Sequence, residues 1–220
     1  MPLCASYWKN TRRGEEIRLA YNARMQPLTV LFFGSQGAGK GTQVKMLIEH
    51  LQSKSDRGII RIDMGQELRN VRDTGTYAGR LTGEIIDNGI RIYDFMAIYL
   101  QTKLLVDNFT GEEHIIADGL ARGEDQTRGF DDMMKFFKRE DLQIINLVIS
   151  DDTAVKRLMA RGRNDDTEEA IRRRLAWTKT DVLPQLELLK IRGRAVREID
   201  GEPDVATIHK NILSALGLSQ

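Results

Sequence analysis

The sequence is poor in residues that form disulfides or bind metals: it has a single cysteine, Cys4, and three histidines. One thiol excludes an internal disulfide framework and a zinc site made of several cysteines. His50, His114 and His209 are far apart in the chain, which argues against a histidine metal site. The scarcity of cysteine fits a reducing environment, so we expect a cytoplasmic protein.

Long apolar runs are also missing. No stretch approaches the roughly 20 apolar residues needed to cross a bilayer, and the first residues lack the apolar core of a secretory signal. The charges balance, with 33 lysines and arginines against 32 acidic residues and a formal net charge of +1. Such a chain has no overall field that would attract nucleic acid or a membrane. We therefore expect neither a nucleic-acid nor a membrane partner, and any anion site must be built locally.

The apolar residues that are present form short runs that alternate with amphipathic stretches, over a length suited to one domain. Strands are predicted over 28–33, 59–62, 114–117, 144–149 and 195–199. Helices are predicted over 39–53, 65–73, 94–108, 125–139, 152–161, 167–191 and 203–216. This alternation predicts an α/β fold in which helices cover both faces of a five-stranded parallel sheet, as three αβα layers. Ligands on such sheets bind beyond the carboxyl ends of the strands.

A glycine-rich segment directly follows the first predicted strand and opens a predicted helix. It reads Gly-Ser-Gln-Gly-Ala-Gly-Lys and runs from Gly34 to Lys40. The G-x-x-x-x-G-K pattern requires that structural context. Its glycines let backbone N–H groups close around phosphate, the helix N-terminus adds a partial positive charge, and Lys40 can reach the β- and γ-phosphates. The sequence therefore predicts an ATP-binding P-loop.

The residue after Lys40 narrows the class of P-loop protein. Gly41 stands where most P-loops carry the serine or threonine that ligates magnesium, and Thr42 follows. The resulting run at 37–43, G-A-G-K-G-T-Q, resembles the loop of the adenylate kinase family. The resemblance continues, in order, from about residue 28 to about residue 216. It implies a P-loop NTPase-type fold and transfer of the γ-phosphoryl group of ATP to AMP, giving two ADP.

Three further motifs carry this resemblance. I-D-M-G-Q-E-L-R at 62–69 resembles the family's I-S-T-G-D-x-L-R, and D-N-G-I-R-I at 87–92 resembles D-x-G-x-L-V. D-G-L-A-R at 118–122, with Gln126 four residues after its arginine, resembles D-G-F-P-R and the glutamine that follows it.

On the donor side, the resemblance implies a site for ATP and a set of cations around the transferring group. The ATP-binding residues would be Gly37, Ala38, Gly39, Lys40, Gly41, Thr42, Arg157 and Arg161, with Arg157 stacked on the adenine. The catalytic residues would be Lys40, Arg122, Arg161, Arg163 and Arg174. Asp118 would hold the Mg²⁺ that accompanies ATP, through water. Arg172 and Arg173, in contrast, are spaced for ordinary ion pairs with the glutamates at 168 and 169.

On the acceptor side, the resemblance implies an AMP site made of Met64, Gly65, Arg69, Arg91, Ile92, Gly119, Arg122 and Gln126. Arg69 and Arg122 would hold the acceptor phosphate, and the Gln126 amide would pair with the adenine edge. Adenylate kinases typically have threonine where this chain has Met64. Uridylate and cytidylate kinases have alanine there, but tend to have asparagine at the position of Gln126. A UMP, CMP or other monophosphate kinase therefore stays open as an alternative, as does a nucleotide-binding module without activity.

The domain boundaries follow from the same resemblance. Only Gly162, Arg163 and Asn164 lie between Arg161 and Asp165, too few for a hinged lid. We expect a residual lid turn at 161–166 that carries Arg163. Closure would then fall to a small helical acceptor-binding subdomain at 63–93 or to a neighbouring subunit, and the oligomeric state stays open. The kinase domain would span 27–220, preceded at 1–26 by a poorly ordered or peripheral extension.

Overall fold

A computed structural model describes residues 26–162 and 167–219 of the chain. Its strands are β1 (Thr29–Gly34), β2 (Ile59–Asp63), β3 (His114–Asp118), β4 (Leu142–Val148) and β5 (Ala195–Asp200). All of them are parallel, and they form one five-stranded sheet in the order β2-β3-β1-β4-β5. The five predicted strands are confirmed to within about two residues at each end, and the predicted α/β class is confirmed with them.

The helices of the described residues alternate with these strands. They are α1 (Lys40–Lys54), α2 (Met64–Arg72), α3 (Tyr77–Asp87), α4 (Asp94–Asn108), α5 (Glu124–Phe136), α6 (Asp151–Arg161), α7 (Glu168–Trp177), α8 (Leu183–Ile191) and α9 (Val205–Ala215). Helix α3 is not among the helices predicted from the sequence. None of the described helices is long and apolar enough to cross a membrane.

The single helix predicted over 167–191 is wrong in one respect. A π-helical segment, Thr178–Val182, separates α7 from α8, and the N–H of Leu183 donates to the carbonyl of Thr178, five residues earlier. Pro184 explains the interruption, because proline has no N–H to continue the α-helical ladder and its ring crowds the preceding turn.

The core lies on both faces of the sheet. On β1, Leu31 and Phe33 pack into one apolar cluster with residues of α2, α4, α5 and α8. Val30 and Phe32 pack into a second cluster with residues of α1 and α9. Because alternate residues of a strand point to opposite faces, β1 must be apolar throughout, which is the continuous run that the sequence shows.

The strand register brings chemically active residues to one edge of the sheet. In the β1–β3 pairing, Phe32 lies opposite Asp118, and in the β2–β3 pairing Asp63 also lies opposite Asp118. Gly34, the last residue of β1, leads into the glycine-rich loop and then α1. The loop and both carboxylates therefore lie together at the carboxyl ends of the neighbouring strands β1, β3 and β2.

His114, at the start of β3, makes the stability of the fold depend on pH. Its side chain is buried, and its Nδ1 accepts a hydrogen bond from the N–H of Leu28 at 2.9 Å. Burial lowers the pKa of His114 from 6.5 to about 4, and the nearby guanidinium groups of Arg57 and Arg139 act in the same direction. As the pH falls below 6.5, the unfolded chain therefore takes up a proton before the folded chain does, and the free energy of unfolding decreases.

We expect His114→Asn to remove this dependence, because an amide oxygen can still accept from Leu28 but does not titrate. Between pH 7.5 and pH 5, the free energy of unfolding of the wild type should fall by about 2 kcal/mol more than that of the variant. Urea unfolding at the two pH values measures the difference. Equal losses in both proteins would show that His114 does not carry the effect.

Candidate active site

A large cavity opens above the carboxyl ends of the central strands, with a volume of about 1080 Å³. This exceeds the range of about 300–1,000 Å³ that usually holds one small ligand. The glycine-rich loop forms one wall, and α2 with the segment before α4 forms the opposite wall. The space can therefore hold two ligands that face each other.

The glycine-rich loop takes a conformation that its glycines alone allow. Gly37 and Gly39 have φ of 85° and 89°, in the left-handed region that glycine adopts readily. A Cβ on Gly37 would also lie 2.8 Å from the carbonyl oxygen of Ala154. Gly39 is the N-cap residue of α1, so the helix N-terminus points its free N–H groups into the loop.

Lys40 is the first residue of α1, and its side chain turns back to the start of this loop. Its Nζ donates to the carbonyl oxygens of Gly34 at 2.8 Å and Ser35 at 2.9 Å. Burial lowers the pKa of Lys40 to about 8, while the Asp118 carboxylate partly offsets that shift. At neutral pH the amine is therefore a positive charge held in a site of low solvation, which strengthens its attraction for a polyphosphate.

Two carboxylates lie beside Lys40. Asp118 ends β3, and burial raises the pKa of its carboxyl group against the opposing effect of Lys40 and Arg122. Asp63, its neighbour at the end of β2, accepts from the N–H of Gln66 at 3.0 Å and so caps α2. Magnesium in phosphate-transfer sites binds to one or two carboxylates, to substrate phosphates and to water. The chemistry of Asp118 therefore suits a hydrated Mg²⁺ ion.

Arginines surround the cavity between its two walls. Two of them lie close to glycines: a Cβ on Gly65 would lie 3.3 Å from Nη1 of Arg69, and one on Gly119 would lie 3.1 Å from Nη2 of Arg122. The Arg122 guanidinium also lies over the Trp177 ring, at 5.4 Å from its centroid. Gly65 and Gly119 thus leave room for these two guanidinium groups in the cavity.

The cavity brings together nearly all of the predicted site residues. Those that line it are Gly37, Ala38, Gly39, Lys40, Gly41, Thr42, Met64, Gly65, Arg69, Arg91, Ile92, Asp118, Gly119, Arg122, Arg157, Arg161 and Arg174. Arg163 and most of the predicted lid turn at 161–166 lie outside the described residues, as do residues 1–25 of the predicted extension.

Gln126 is the exception among the described residues. Its side chain is buried and is not part of the cavity wall. Its Oε1 accepts from the N–H of Arg122 at 3.1 Å, and its Nε2 donates to Oδ1 of Asp94 at 2.8 Å. Both ends of the amide are engaged within the protein and the side chain is not in the cavity wall, so contact with a base edge would require the side chain to move.

The cavity also contains residues that the sequence analysis did not single out. Asp63 is one, and its position at the end of a predicted strand next to Asp118 could have identified it. The segment at the start of α9 is another: Pro203, Asp204 and Val205 line the cavity, as does Arg157, whose Nη1 donates to the carbonyl of Gly201 at 2.9 Å. Trp177 is a third, and its spacing of three residues from Arg174 is a sequence signal that could have identified it.

Known proteins resemble the chain over most of its length. The family model described as adenylate kinase matches residues 32–194. The chain belongs to the adenylate kinase family. The adenylate kinase of Prochlorococcus marinus (strain MIT 9211) is 32% identical over 190 residues, which cover 86% of this chain and 97% of that protein.

Two further relatives support this membership. Adenylate kinase 1 of Nostoc sp. (strain PCC 7120 / SAG 25.82 / UTEX 2576) is 30% identical over 188 residues, covering 86% of this chain and 98% of its own length. The adenylate kinase of Corynebacterium aurimucosum (strain ATCC 700975 / DSM 44827 / CIP 107346 / CN-1) is 32% identical over 191 residues, covering 85% and 98% respectively. The family match contains the glycine-rich loop, both carboxylates and the cavity arginines, so the predicted adenylate kinase resemblance is confirmed.

Proposed function

We propose that this adenylate kinase family member transfers the γ-phosphoryl group of ATP to AMP and so forms two ADP. One observation carries the proposal: a single cavity is lined by Lys40 of the glycine-rich loop, by Arg69 of α2 and by Arg122, which follows β3. A phosphate held by the loop and a phosphate held by these arginines would lie close enough for direct transfer.

The donor site would take ATP as follows. The loop from Gly37 to Thr42 would hold the β- and γ-phosphates through backbone N–H groups and Lys40. The adenine would lie between the Arg157 guanidinium and the 203–205 loop, where a cation can stack on a base. Asp118 would hold hydrated Mg²⁺, which neutralises charge on the phosphate oxygens when it is bound.

The acceptor site would take AMP on the opposite wall. Arg69 and Arg122 would bind its phosphate, because guanidinium groups make paired hydrogen bonds to phosphate oxygens. The base would lie against Met64, Gly65 and the backbone at Arg91 and Ile92. Gly119 would let the acceptor phosphate approach the end of β3 closely.

Transfer itself requires positioning and charge stabilisation rather than a nucleophile from the protein. Lys40, Arg122, Arg161 and Arg174 would stabilise charge on the moving oxygens, and we include Arg163 in this set by family resemblance. Water must be kept out, since it competes as an acceptor. We propose that the 63–93 subdomain closes the site, with only a residual lid turn at 161–166, and that the kinase domain begins near residue 27.

A pyrimidine monophosphate is the second candidate acceptor, because Gln126 does not line the cavity and so does not single out adenine. The amide that was expected to read the adenine edge already bonds to Arg122 and Asp94. If no side chain on the wall replaces it, discrimination between bases would depend on shape alone. We retain AMP because it is the acceptor that the names of the relatives imply, and we expect the reaction to take place in the cytoplasm, given the single cysteine.

A panel of acceptors tests both candidates. We expect ADP to form from ATP and AMP with kcat/KM at least about tenfold higher than with UMP, CMP or GMP. Gln126→Ala should lower kcat/KM for all acceptors by a similar factor, because its amide fixes the backbone of Arg122. A selective loss with AMP would instead assign base reading to Gln126. Nucleotide binding without turnover for any acceptor would overturn the kinase proposal.

A further inference from the structure

The segment that joins α3 to α4 is held by one face of a single helix. The residues of that face are Ala170, Arg173, Arg174 and Trp177, at the spacing i, i+3, i+4 and i+7 expected of neighbours on an α-helix surface, and Asp181 of the π-helical segment that follows. All of them contact residues 86–91. We call this face of α7 and the π-helical segment the clasp.

The clasp satisfies the carbonyl groups at the end of α3. Nη1 of Arg173 donates to the carbonyl of Asn88 at 2.7 Å, and Nε1 of Trp177 donates to the carbonyl of Gly89 at 2.9 Å. Nη2 of Arg174 reaches the carbonyl of Ile86 at 3.3 Å. The last carbonyls of a helix lack partners within the helix and carry partial negative charge, so donors that are cationic suit them well.

Gly89 allows the segment after α3 to approach α7 closely. Its φ is 68°, and a Cβ at this position would lie 2.7 Å from the carbonyl oxygen of Ala170. The backbone of the acceptor segment therefore rests directly on the backbone of α7. No side chain lies between them that could rearrange, so the hydrogen bonds of Arg173 and Trp177 hold the segment at one distance.

A second set of contacts extends the clasp to Arg91. Nε of Arg91 donates to Oδ2 of Asp181 at 3.1 Å, and its Nη1 donates to the Asp94 carboxylate. Asp94 in turn accepts from Nε2 of Gln126. We call residues 89–92 the acceptor wall. It is joined through Asp181 to the π-helical segment on one side and through Asp94 and Gln126 to α5 on the other.

The clasp also touches the phosphate-binding side of the cavity. The Trp177 ring lies against the Arg122 guanidinium, and Arg174 lines the cavity itself. One helix therefore contacts the backbone expected to flank the acceptor base and the arginine expected to bind the acceptor phosphate. A shift of α7 would move both together.

We propose that Arg173 and Trp177 are positioning residues that hold the acceptor wall in register with Arg122, so that the acceptor phosphate meets the donor in line. This inference rests on the proposed phosphoryl transfer to AMP. It also changes the interpretation of Arg173, which the sequence places in an ordinary ion pair with Glu169. The ion pair is present and uses Nη2 of Arg173. Its Nη1 is then directed at the carbonyl of Asn88.

Arg172 and Arg173 provide a matched test. Arg172 pairs with Glu168 as Arg173 pairs with Glu169, and both side chains are exposed, but only Arg173 has a hydrogen bond to Asn88 among their described contacts. We expect Arg173→Ala to raise the KM for AMP about fivefold and leave the KM for ATP unchanged, as loss of one hydrogen bond predicts. Arg172→Ala should change neither. Trp177→Phe, which keeps a ring against Arg122 but loses the N–H, should behave like Arg173→Ala.

Hydrogen exchange separates the clasp from the kinase activity. In the absence of nucleotide, amides in 86–92 should exchange about fivefold faster in Arg173→Ala than in Arg172→Ala. If the wild type failed to phosphorylate AMP, the proposed function would fall, yet this comparison would still decide whether the clasp exists. Equal exchange in the two variants, or equal rises in the KM for ATP and AMP in Arg173→Ala, would overturn the inference.

Discussion

Replacing Lys40 by methionine is expected to lower kcat by on the order of 10³-fold, the cost of removing a preorganised charge from a transition state. Methionine has nearly the length of lysine but no charge, so the loop loses the amine that bonds to Gly34 and Ser35 and that would hold the γ-phosphate. Steady-state ADP formation at saturating ATP and AMP measures the loss.

Lys54 supplies the matched control for this change. It is the last residue of the same helix and lies outside the cavity wall. Lys54→Met should therefore leave kcat within about twofold of the wild type, because the 15-residue helix places Lys54 about 20 Å from Lys40. A Lys40→Met enzyme with near-normal kcat and an unchanged thermal midpoint would mean that the loop does not serve phosphoryl transfer.

Replacing Arg122 by alanine should produce a second loss on the order of 10³-fold in kcat/KM for AMP. Arg122 lies between the two walls, next to Lys40 and Asp118, and its guanidinium would bind the acceptor phosphate in the ground state and the moving phosphoryl group later. Arg122→Lys should recover only a small part, because an ammonium group cannot make the bidentate contact or stack on Trp177 in the same way.

Arg128, on α5 a few residues further along, is the control for Arg122. It forms an exposed ion pair with Glu124 at 2.7 Å, and such pairs contribute little. Arg128→Ala should retain full activity with both substrates. If Arg122→Ala raised only the KM for ATP, we would have assigned this arginine to the wrong substrate.

Local pattern predicted the sheet and the donor loop well. β1 is an uninterrupted apolar run because both of its faces are covered, and the glycine-rich loop directly after it must lie at the carboxyl edge of the sheet. Asp118 follows from the same logic, since it ends the next strand in the sheet. These features depend on neighbours in sequence and on the general rules of parallel sheets.

Helix α3 shows where local pattern fails. Gly79 and Gly83 lower its helix propensity, so the segment does not read as a helix. Both glycines are buried, and a Cβ on Gly79 would lie 2.6 Å from the carbonyl of Val71. Close packing of α3 on α2 requires glycine there, and this tertiary requirement outweighs propensity.

The sequence also could not predict where individual side chains point. The motif spacing placed Gln126 near the acceptor site, but it could not show that both ends of its amide bond to Arg122 and Asp94. Likewise, Arg173 looks like Arg172 in sequence, and only the position of the α3 terminus distinguishes them. The two residues of each clasp contact lie 85 to 90 residues apart in the chain. No local sequence pattern can predict contacts over that separation.

Direct transfer between two facing phosphates is the central claim, and the fate of γ-labelled ATP tests it. With purified enzyme, Mg²⁺ and AMP, the label should appear at the β-position of ADP in step with ATP consumption, and little should be released as inorganic phosphate. Label that appears as inorganic phosphate at the same rate with and without AMP would contradict the claim, because water rather than a nucleotide would then be the acceptor.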